Sequence, residues 1–376
     1  MQVKASEKLN VGFVRRGFSA TGGAEAYLGR VARALIAAGH EVTLFVSQDW
    51  PEKQWELARI VRMRRDGPIS FADELERRDP RKHCDLLVSL ERVWRCDFFR
   101  AGDGVHRAWL DRKAQFDAKL KTMARRLNRK HVAILRLEKA LLSNGGARRV
   151  IASSLMVRDE IVRYYGVADN AIDLIPNGVC VSDFAPAPRK RAAARAQLKI
   201  YGDEIVVLFL GSGWERKGLG FAIAAVEKLA DERVRLLVAG RGSQRKYRSR
   251  SVTFLGEIED VRLPLAAADI FILPTIYDPF SNASLEAMAA GLPVITTRAN
   301  GCSDIIEPKV HGSVVDRPDD VNALAEALRL WSDEPQRAAA RPALLERVTH
   351  FDLSRNVALT LQVLLHFRDT AEPTSG

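Results

Sequence analysis

The sequence contains no hydrophobic run long enough to cross a lipid bilayer. None of its apolar stretches approaches the roughly 20 residues that a transmembrane helix needs, although hydrophobic residues make up 47% of the 376-residue chain. Its first residues, MQVKASEKLNVGFV, also lack the apolar centre of a secretory signal peptide. We therefore expect a globular protein of the cytoplasm.

Cysteine is scarce, which excludes a disulfide-stabilised scaffold. The four cysteines, Cys84, Cys96, Cys180 and Cys302, are scattered and show no C-x-x-C spacing. We expect them to be reduced and mostly structural, as is usual for cytosolic proteins.

Acidic residues are outnumbered, and the net charge is +11 with a pI of about 9.7. A balance this basic predicts affinity for an acidic partner, namely nucleic acid, a phosphorylated substrate or an anionic membrane. The length exceeds that of one hydrophobic core and suggests two domains.

Short apolar segments alternate with amphipathic helical segments twice along the chain, which predicts two doubly wound parallel sheets. We place the domains at residues 1–180 and 181–351, and we expect a last helix in 352–376 to cross back to the first domain. The predicted strands of the first domain are Val11–Val14, Glu41–Val46, Asp85–Ser89, Asp97–Phe99 and Arg149–Ser153. Those of the second are Glu204–Gly213, Val234–Gly240, and the segments VTFLG, DIFILP and LPVITT.

The segment GSGWERKG, residues 211–218, follows the most apolar strand and precedes a helix. Glycines such as Gly213 let the backbone approach a ligand closely, and a helix N-terminus favours anions. Arg216 and Lys217 add two cations at that edge. The spacing matches neither a Walker A nor a G-x-G-x-x-G motif, so a solvated basic turn is an equally good interpretation.

The segment DPFSNASLEAMAAGLPVITT places Asp278 in a loop and Glu286 on the second turn of a helix. Ser281 or Asn282 is the expected N-cap. The N–H groups of residues 282–285 would hold a diphosphate, and each carboxylate would accept hydrogen bonds from sugar hydroxyls on either side. An acid that merely complements the helix dipole explains Glu286 but not Asp278.

Two weaker signals lie in the first domain. Gly22 and Gly23 precede a helix. Such glycines either let the backbone approach a phosphate closely or only form a turn. Asp103 follows a predicted strand and lies between glycines, where it would orient or deprotonate an acceptor hydroxyl. His106 is the alternative base. An aspartate in an ordinary glycine turn, without a catalytic role, is the other interpretation.

Residues 107–139 hold eleven Lys or Arg side chains against three acidic ones, with aromatic and aliphatic residues at helical spacing. A basic amphipathic helix of this kind suits an anionic membrane surface. A solvated helix packed on the domain fits equally well. Nucleic acid ranks lower, because no zinc spacing or RNA-binding aromatic motif is present.

These segments together resemble the family-4 retaining glycosyltransferases of the GT-B fold, over essentially the whole chain. The resemblance rests on TGGAEAYLGRVARALIAAGHEV, IPNGV, GSGWERKG, AAADIFILPT and the E-x7-E-like segment that begins at Asp278. Within the family, the order of GSGWERKG, AGDGVH and the basic stretch is most similar to enzymes that glucosylate the heptose of the lipopolysaccharide core. The fold so implied has two Rossmann-like domains facing a deep cleft.

The resemblance implies roles for individual residues. Arg216 and Lys217 match the basic pair on the donor diphosphate, and Glu286 matches the glutamate that holds the ribose. Asp278 stands where the family has a glutamate on the transferred sugar, and its side chain reaches about 1.5 Å less. The loop and helix start that would lie against sugar and phosphate comprise Phe280, Ser281, Asn282, Ala283 and Ser284; Gly22 and Gly23 match the N-terminal glycine loop, and Asp103 matches an acceptor-side carboxylate.

The expected function is therefore transfer of a hexose from a nucleoside-diphosphate sugar, such as a UDP-sugar, to a glycan or glycolipid hydroxyl, beside the inner face of the cytoplasmic membrane. No D-x-D motif is present, so we expect no metal and no other cofactor. The alternatives are a glycosyltransferase for another lipid-linked or soluble acceptor, and a non-catalytic basic protein that binds nucleic acid or membrane.

Overall fold

The computed structural model describes residues 8–19, 23–51, 55, 58–65, 67–185 and 188–369. By its internal contacts the chain divides into two compact units. The first comprises the described parts of Met1–Ile175 and Asn356–Gly376, and the second comprises Pro176–Arg355. The division thus falls between Ile175 and Pro176, whereas the sequence analysis placed it near residue 180.

The first unit is a parallel sheet with helices in its strand connections. Its strands are β1 Asn10–Arg15, β2 Glu41–Val46, β3 Arg59–Arg62, β4 Leu86–Ser89, β5 Cys96–Arg100, β6 Ala147–Ala152 and β7 Ile172–Leu174. Its helices up to residue 175 are α1 Gly23–Ala37, α2 Pro68–Arg77, α3 His106–Ala114, α4 Lys119–Arg126, α5 Arg129–Leu142 and α6 Leu155–Tyr165, with short 3₁₀ turns at Pro80–Lys82 and Asp169–Ala171.

The strand order of this first sheet is β3-β2-β1-β4-β5-β6-β7. The chain therefore winds outward from β1 in one direction and then returns to place β4 on the other side of β1. This reversal of direction between β1 and β4 is a topological switch point, where the carboxyl ends of open α/β sheets leave a crevice for ligands.

The second unit repeats the architecture with different lengths. Its strands are β8 Ile205–Leu210, β9 Val234–Ala239, β10 Val252–Gly256, β11 Ile270–Leu273, β12 Val294–Thr297 and β13 Gly312–Val315, in the order β10-β9-β8-β11-β12-β13. Its helices are α7 Val181–Phe184, α8 Pro188–Gln197, α9 Trp214–Lys217, α10 Leu219–Leu229, α11 Arg262–Ala267, α12 Asn282–Ala289, α13 Val321–Ser332 and α14 Glu334–Thr349, with 3₁₀ turns at Gln244–Lys246 and Gly301–Ile305. The switch point here lies between β8 and β11.

The last helix, α15 Leu353–Asp369, belongs to the first unit from Asn356 onward. Leu364 is fully buried in the core of that unit. The rings of Phe98 and Phe367 meet edge to face with centroids 4.9 Å apart, and the hydroxyl groups of Tyr27 and Thr360 are 3.2 Å apart. The helix is thus held by core packing and by the buried hydrogen bond between Tyr27 and Thr360.

The sequence analysis located ten strands but missed β3, β7 and β13. All three are edge strands of their sheets. Edge strands are covered on fewer sides, and the residues of β3 are half-buried or exposed, so they lack the continuous apolar run that marks a central strand. In the described part of the chain, no helix is long and apolar enough to span a membrane.

Candidate active site

The first part of the candidate site is the turn from β8 into α9. Gly213 caps this short helix at φ 75°, in the left-handed region that glycine adopts most readily. Gly211 lies under Lys217: a Cβ added to Gly211 would approach the Lys217 Nζ to 2.7 Å. Glycine at 211 therefore leaves the space that the folded-back lysine side chain occupies.

Arg216 joins this turn to the loop that follows β11. Its carbonyl oxygen accepts hydrogen bonds from the N–H of Ile276 at 2.8 Å and from the hydroxyl of Thr275 at 3.0 Å. Its guanidinium donates to the carbonyl oxygen of Tyr277 at 2.6 Å. Both loops lie at carboxyl ends of the strands that flank the switch point of the second sheet.

Asp278 lies between the two predicted cations. Its Oδ2 is 3.5 Å from the Lys217 Nζ and 3.7 Å from the Arg216 Nη1, and the Asp278 side chain is only 9% exposed. The structure thus brings together all three charged residues that the sequence analysis assigned to diphosphate and transferred sugar.

The N-terminus of α12 follows this loop. Ser281 is the N-cap, as expected: its hydroxyl accepts from the N–H of Ser284, and its carbonyl oxygen accepts from the N–H of Leu285. The expectation of four free N–H groups over residues 282–285 is therefore wrong. Among the hydrogen bonds of the described residues, the N–H groups of Asn282 and Ala283 have no partner, which leaves two donors at the helix start.

Two asparagines that the sequence analysis did not assign hold this loop in place. Asn300, fully buried after β12, accepts from the N–H of Ser281 at 3.2 Å and donates to the hydroxyl of Ser284 at 3.2 Å. Asn177 donates to the carbonyl oxygen of Phe280 and to the side-chain oxygen of Asn282. Asn177 belongs to the quoted IPNGV segment, but its partners lie over 100 residues away and only the fold reveals them.

Glu286 is half-buried on the second turn of α12. Burial raises the pKa of its carboxyl above the ordinary value, and the positive charge of Lys217 offsets part of that rise. A carboxylate in these surroundings gains from hydrogen-bond donors, such as hydroxyl groups, that replace its lost water.

The predicted site residues of the first domain do not form a cluster like that of Arg216, Lys217 and Asp278. Gly22 lies outside the described residues, and Gly23 is the exposed first residue of α1. Asp103 is 63% exposed and lies 3.9 Å from the Arg15 guanidinium. The His106 Nε2 is 3.1 Å from the His131 Nδ1, and burial, with the nearby Arg92, lowers the pKa of His106 to about 4.

Glu138 fixes the loop that carries Asp103. This fully buried carboxylate accepts from the N–H groups of His106 and Arg107 at the start of α3 and from the Arg92 Nε at 2.7 Å. Arg92 also donates to the carbonyl oxygen of Gly104 at 2.7 Å. Sequence reasoning counted Glu138 only as one acid of the basic stretch, because its partners come from other elements.

The basic stretch 107–139 is not one amphipathic helix, and that expectation is wrong. It forms three helices, α3, α4 and most of α5. Leu110 and Leu137 are buried in the unit, whereas apolar side chains on and just after α4 are exposed: Leu120 by 79%, Met123 by 60% and Leu127 by 75%. The apolar positions thus divide between the core and a surface patch.

The chain belongs to the glycosyltransferases. Residues 21–183 match the family described as glycosyltransferase family 4, and residues 204–333 match glycosyl transferases group 1. A probable transglycosylase of Burkholderia thailandensis is 31% identical over 326 residues, covering 84% of this chain and 83% of the relative. Against several further curated relatives the chain spans about half of their length, 47% and 53% in two cases.

Solved structures agree over nearly the full chain. WaaG, a glycosyltransferase involved in lipopolysaccharide biosynthesis, has a TM-score of 0.78 at 21% identity, with 97% of this chain and 100% of that chain covered. Anabaena HepE, in complex with UDP and glucose, has a TM-score of 0.70 at 17% identity, with coverages of 95% and 99%. These likenesses establish the fold, and the prediction of a GT-B fold with two Rossmann-like units is confirmed.

Proposed function

We propose that this glycosyltransferase moves a hexose from a UDP-sugar to a hydroxyl group of a glycan acceptor, with retention of the anomeric configuration, in the synthesis of lipopolysaccharide core or another cell-envelope glycan. The observation that carries the proposal is the convergence of Arg216, Lys217, Asp278 and the α12 N-terminus at the switch point of the second sheet. We choose a UDP-sugar as the donor because HepE, which has a similar structure, is in complex with UDP and glucose.

In this proposal the donor diphosphate takes over the cations that Asp278 holds in the free protein. Arg216 and Lys217, with the N–H groups of Asn282 and Ala283, would stabilise the charge that develops on the leaving UDP. These donors are already fixed by the hydrogen bonds of Arg216 and Asn300, so little reorganisation is needed during the reaction. No metal enters this scheme.

Glu286 would accept hydrogen bonds from the ribose hydroxyls, and Asp278 would meet the transferred sugar. Phe280 is buried, and it shapes the loop rather than presenting its ring to solvent. Ser284 has its N–H and hydroxyl engaged with Ser281 and Asn300, so we assign it to the support of the loop. The assignment of Gly22 and Gly23 to the donor stays a prediction from the resemblance.

The acceptor and the membrane are the finer parts of the proposal. The lipopolysaccharide role of WaaG suggests a glycan or glycolipid acceptor. The exposed apolar side chains of α4 lie among lysines and arginines, a combination that suits an anionic lipid surface. The enzyme would then work as a peripheral protein on the inner face of the cytoplasmic membrane, and nucleic acid would have no role.

A panel of UDP-, GDP- and ADP-sugars, tested by thermal shift and by turnover, examines the donor proposal. A ligand at one hundred times its Kd stabilises the folded state by about 2.7 kcal/mol, so the correct nucleotide should stand out. Lys217→Ala should abolish most turnover and weaken UDP binding at least tenfold. The matched control is Lys228→Ala, at an exposed position on α10. Unchanged UDP binding and turnover in Lys217→Ala would remove the proposed donor site.

A further inference from the structure

A cavity of about 330 Å³ lies entirely in the first unit. Its volume is at the lower end of the roughly 300–1,000 Å³ typical of small-molecule sites. Its walls include Arg15, Glu91, Arg92, Asp103, Ile134 and Leu137. Of these, only Asp103 entered the predicted site.

The cavity sits at the switch point of the first sheet. Arg15 is the last residue of β1, and Glu91 follows the end of β4, the strand on the other side of the switch. Asp103 follows β5 in the same way. Ligands of open α/β sheets bind at this place, and the donor residues occupy the equivalent place in the second sheet.

The charges of the cavity are matched in pairs. The Arg15 guanidinium lies 2.9 Å from Glu91 and 3.1 Å from Glu25, and the Arg92 guanidinium lies 2.7 Å from Glu138. Lys130 adds a cation and Asp103 a carboxylate at exposed positions of the lining. Arg16 is a fourth cation of the lining, and its Nε lies 3.8 Å from Glu91. His106 is neutral at pH 7, because its pKa is about 4. The four cations are thus matched by Glu91 and Asp103 together with the adjoining Glu25 and Glu138, which does not favour a free anion.

Glu91 and Arg15 offer a carboxylate and a guanidinium side by side at 14% and 16% exposure. Burial raises the pKa of Glu91, with Arg15 acting against that rise. A sugar hydroxyl can donate to the carboxylate and accept from the guanidinium at the same time. Ile134 and the buried Leu137 form an apolar wall that suits the C–H face of a sugar ring.

We propose that this cavity binds an uncharged sugar residue of the acceptor, and that Glu91 and Arg15 are the side chains that hold its hydroxyl groups. The inference rests on the proposed function and specifies its acceptor class: the unit bound in the cavity carries hydroxyls and no phosphate. Asp103, at the exposed edge, is then not the main acceptor carboxylate.

Saturation-transfer NMR on the full chain tests this directly. The probes are methyl α-glucoside, methyl α-mannoside and a methyl heptoside as uncharged sugars, glucose 6-phosphate as the charged one, and UDP as an independent reporter of the donor site. At least one uncharged sugar should receive saturation from the wild-type protein, whereas glucose 6-phosphate should receive no more than its uncharged counterpart.

Two variants localise the binding. Glu91→Gln keeps the shape of the side chain but removes its charge and one acceptor oxygen, and Ile134→Trp fills the cavity without touching an ion pair. Both should reduce the sugar signal at least threefold and leave the UDP signal unchanged. Glu76→Gln is the control, because it removes a carboxylate from an arginine pair, with Arg95, outside the cavity.

The proposal is overturned if sugar signals persist in both variants. It is also overturned if glucose 6-phosphate binds and no uncharged sugar does, or if UDP binds and no uncharged sugar does. If the wild-type protein gives no UDP signal, the donor part of the proposed function is contradicted instead. The sugar signals would still decide the role of the cavity.

Discussion

Glu286 and Asp278 are both acidic, but their surroundings in the second unit differ. Asp278 lies within 3.7 Å of two cations, Arg216 and Lys217. Glu286 has Lys217 as its favourable charge, and burial dominates and raises the pKa of its carboxyl. Asp278 thus has two cationic neighbours already in place, whereas Glu286 gains more from a ligand that donates hydrogen bonds.

Replacing Glu286 with Gln should stabilise the free protein at neutral pH. A carboxyl whose pKa is raised on folding contributes stability below its unfolded value of 4.5, and that stability is lost as the pH rises through the folded value. The melting temperature of Glu286→Gln minus that of wild type should therefore increase from pH 4 to pH 7. Glu326→Gln, on the exposed side of α13, is the control and should show a smaller change.

The same variant should lose UDP affinity. A hydrogen bond to a charged group contributes about 1.5–3 kcal/mol, so Glu286→Gln should weaken UDP at least tenfold at pH 7, measured by calorimetry. A variant that gains stability and keeps its UDP affinity would contradict the proposed contact with the ribose.

The short side chain of Asp278 predicts a donor-specificity switch. The loop cannot easily move inward to compensate, because the Asp278 N–H bonds to Ala299 and its carbonyl oxygen accepts from Gly301. Asp278→Glu should therefore change the ratio of kcat/KM between two UDP-hexoses, such as UDP-glucose and UDP-galactose, by about tenfold, the equivalent of one hydrogen bond. UDP affinity should change less than twofold.

The exposed substitution Asp316→Glu controls for the added methylene. Equal ratios of kcat/KM in wild type and Asp278→Glu would show that residue 278 does not select the sugar.

Local sequence was sufficient to single out the charged residues that the structure brings together in the second unit, because each cluster is contiguous in the chain and marked by glycine or a helix start. Arg216 and Lys217 follow one strand, and Asp278 follows another. The cavity of the first unit had no such signal. Arg15 and Glu91 are 76 residues apart, and only the order of the strands brings them together.

At the scale of elements, α12 and α4 contrast in how they are held. Helix α12 is anchored by the buried Asn300, whose side chain also bonds the N–H of Cys302 and the hydroxyl of Thr296. Helix α4 is tied at its start by Asp117, whose side chain is 2% exposed and lies between cations that include Lys121 and Arg125. This anchoring leaves the apolar residues of α4 facing outward.

The exposed patch of α4 predicts binding to anionic vesicles. Changing Leu120, Met123 and Leu127 together to Ser removes apolar side chains that would insert between lipid headgroups, each contributing at most about 1.5–3 kcal/mol. Co-sedimentation with anionic vesicles should fall at least tenfold, while UDP-sugar turnover with a water-soluble acceptor stays within twofold.

Tyr201→Ser is the control, since Tyr201 is 67% exposed in the second unit. Equal sedimentation of the wild-type protein with neutral and anionic vesicles would contradict an electrostatic membrane contact through residues 107–139.

The elements that sequence predicted well are those buried on both faces. Strands β8 and β4 have every residue buried, so continuous apolar runs mark them. The edge strand β7 has one buried residue of three, and β13 has two of four. The three helices of 107–139 were merged for a related reason: charge and helical spacing continue across the turns near Asp117 and Asn128, where no glycine or proline marks a boundary.

At the scale of the whole molecule, each unit gathers charged side chains at the switch point of its own sheet. The second unit places two cations and a helix start there, which suits a diphosphate. The first unit places paired charges and an apolar wall there, which suits an uncharged sugar. This division predicts that the two substrates protect different segments of the backbone from hydrogen exchange.

Hydrogen exchange followed by mass spectrometry measures that division. Some backbone amides exchange only after the ligand has dissociated. A ligand at one hundred times its Kd stabilises these amides by about 2.7 kcal/mol, which slows their hydrogen exchange roughly a hundredfold. UDP should slow exchange in segments 211–218 and 278–290, and an uncharged sugar should slow exchange in segment 89–106. Segment 321–332, on α13, should respond to neither and serves as the internal reference. Protection by UDP confined to segment 89–106 would place the nucleotide in the first unit and contradict the division, because the cations Arg216 and Lys217 would then have no ligand to hold.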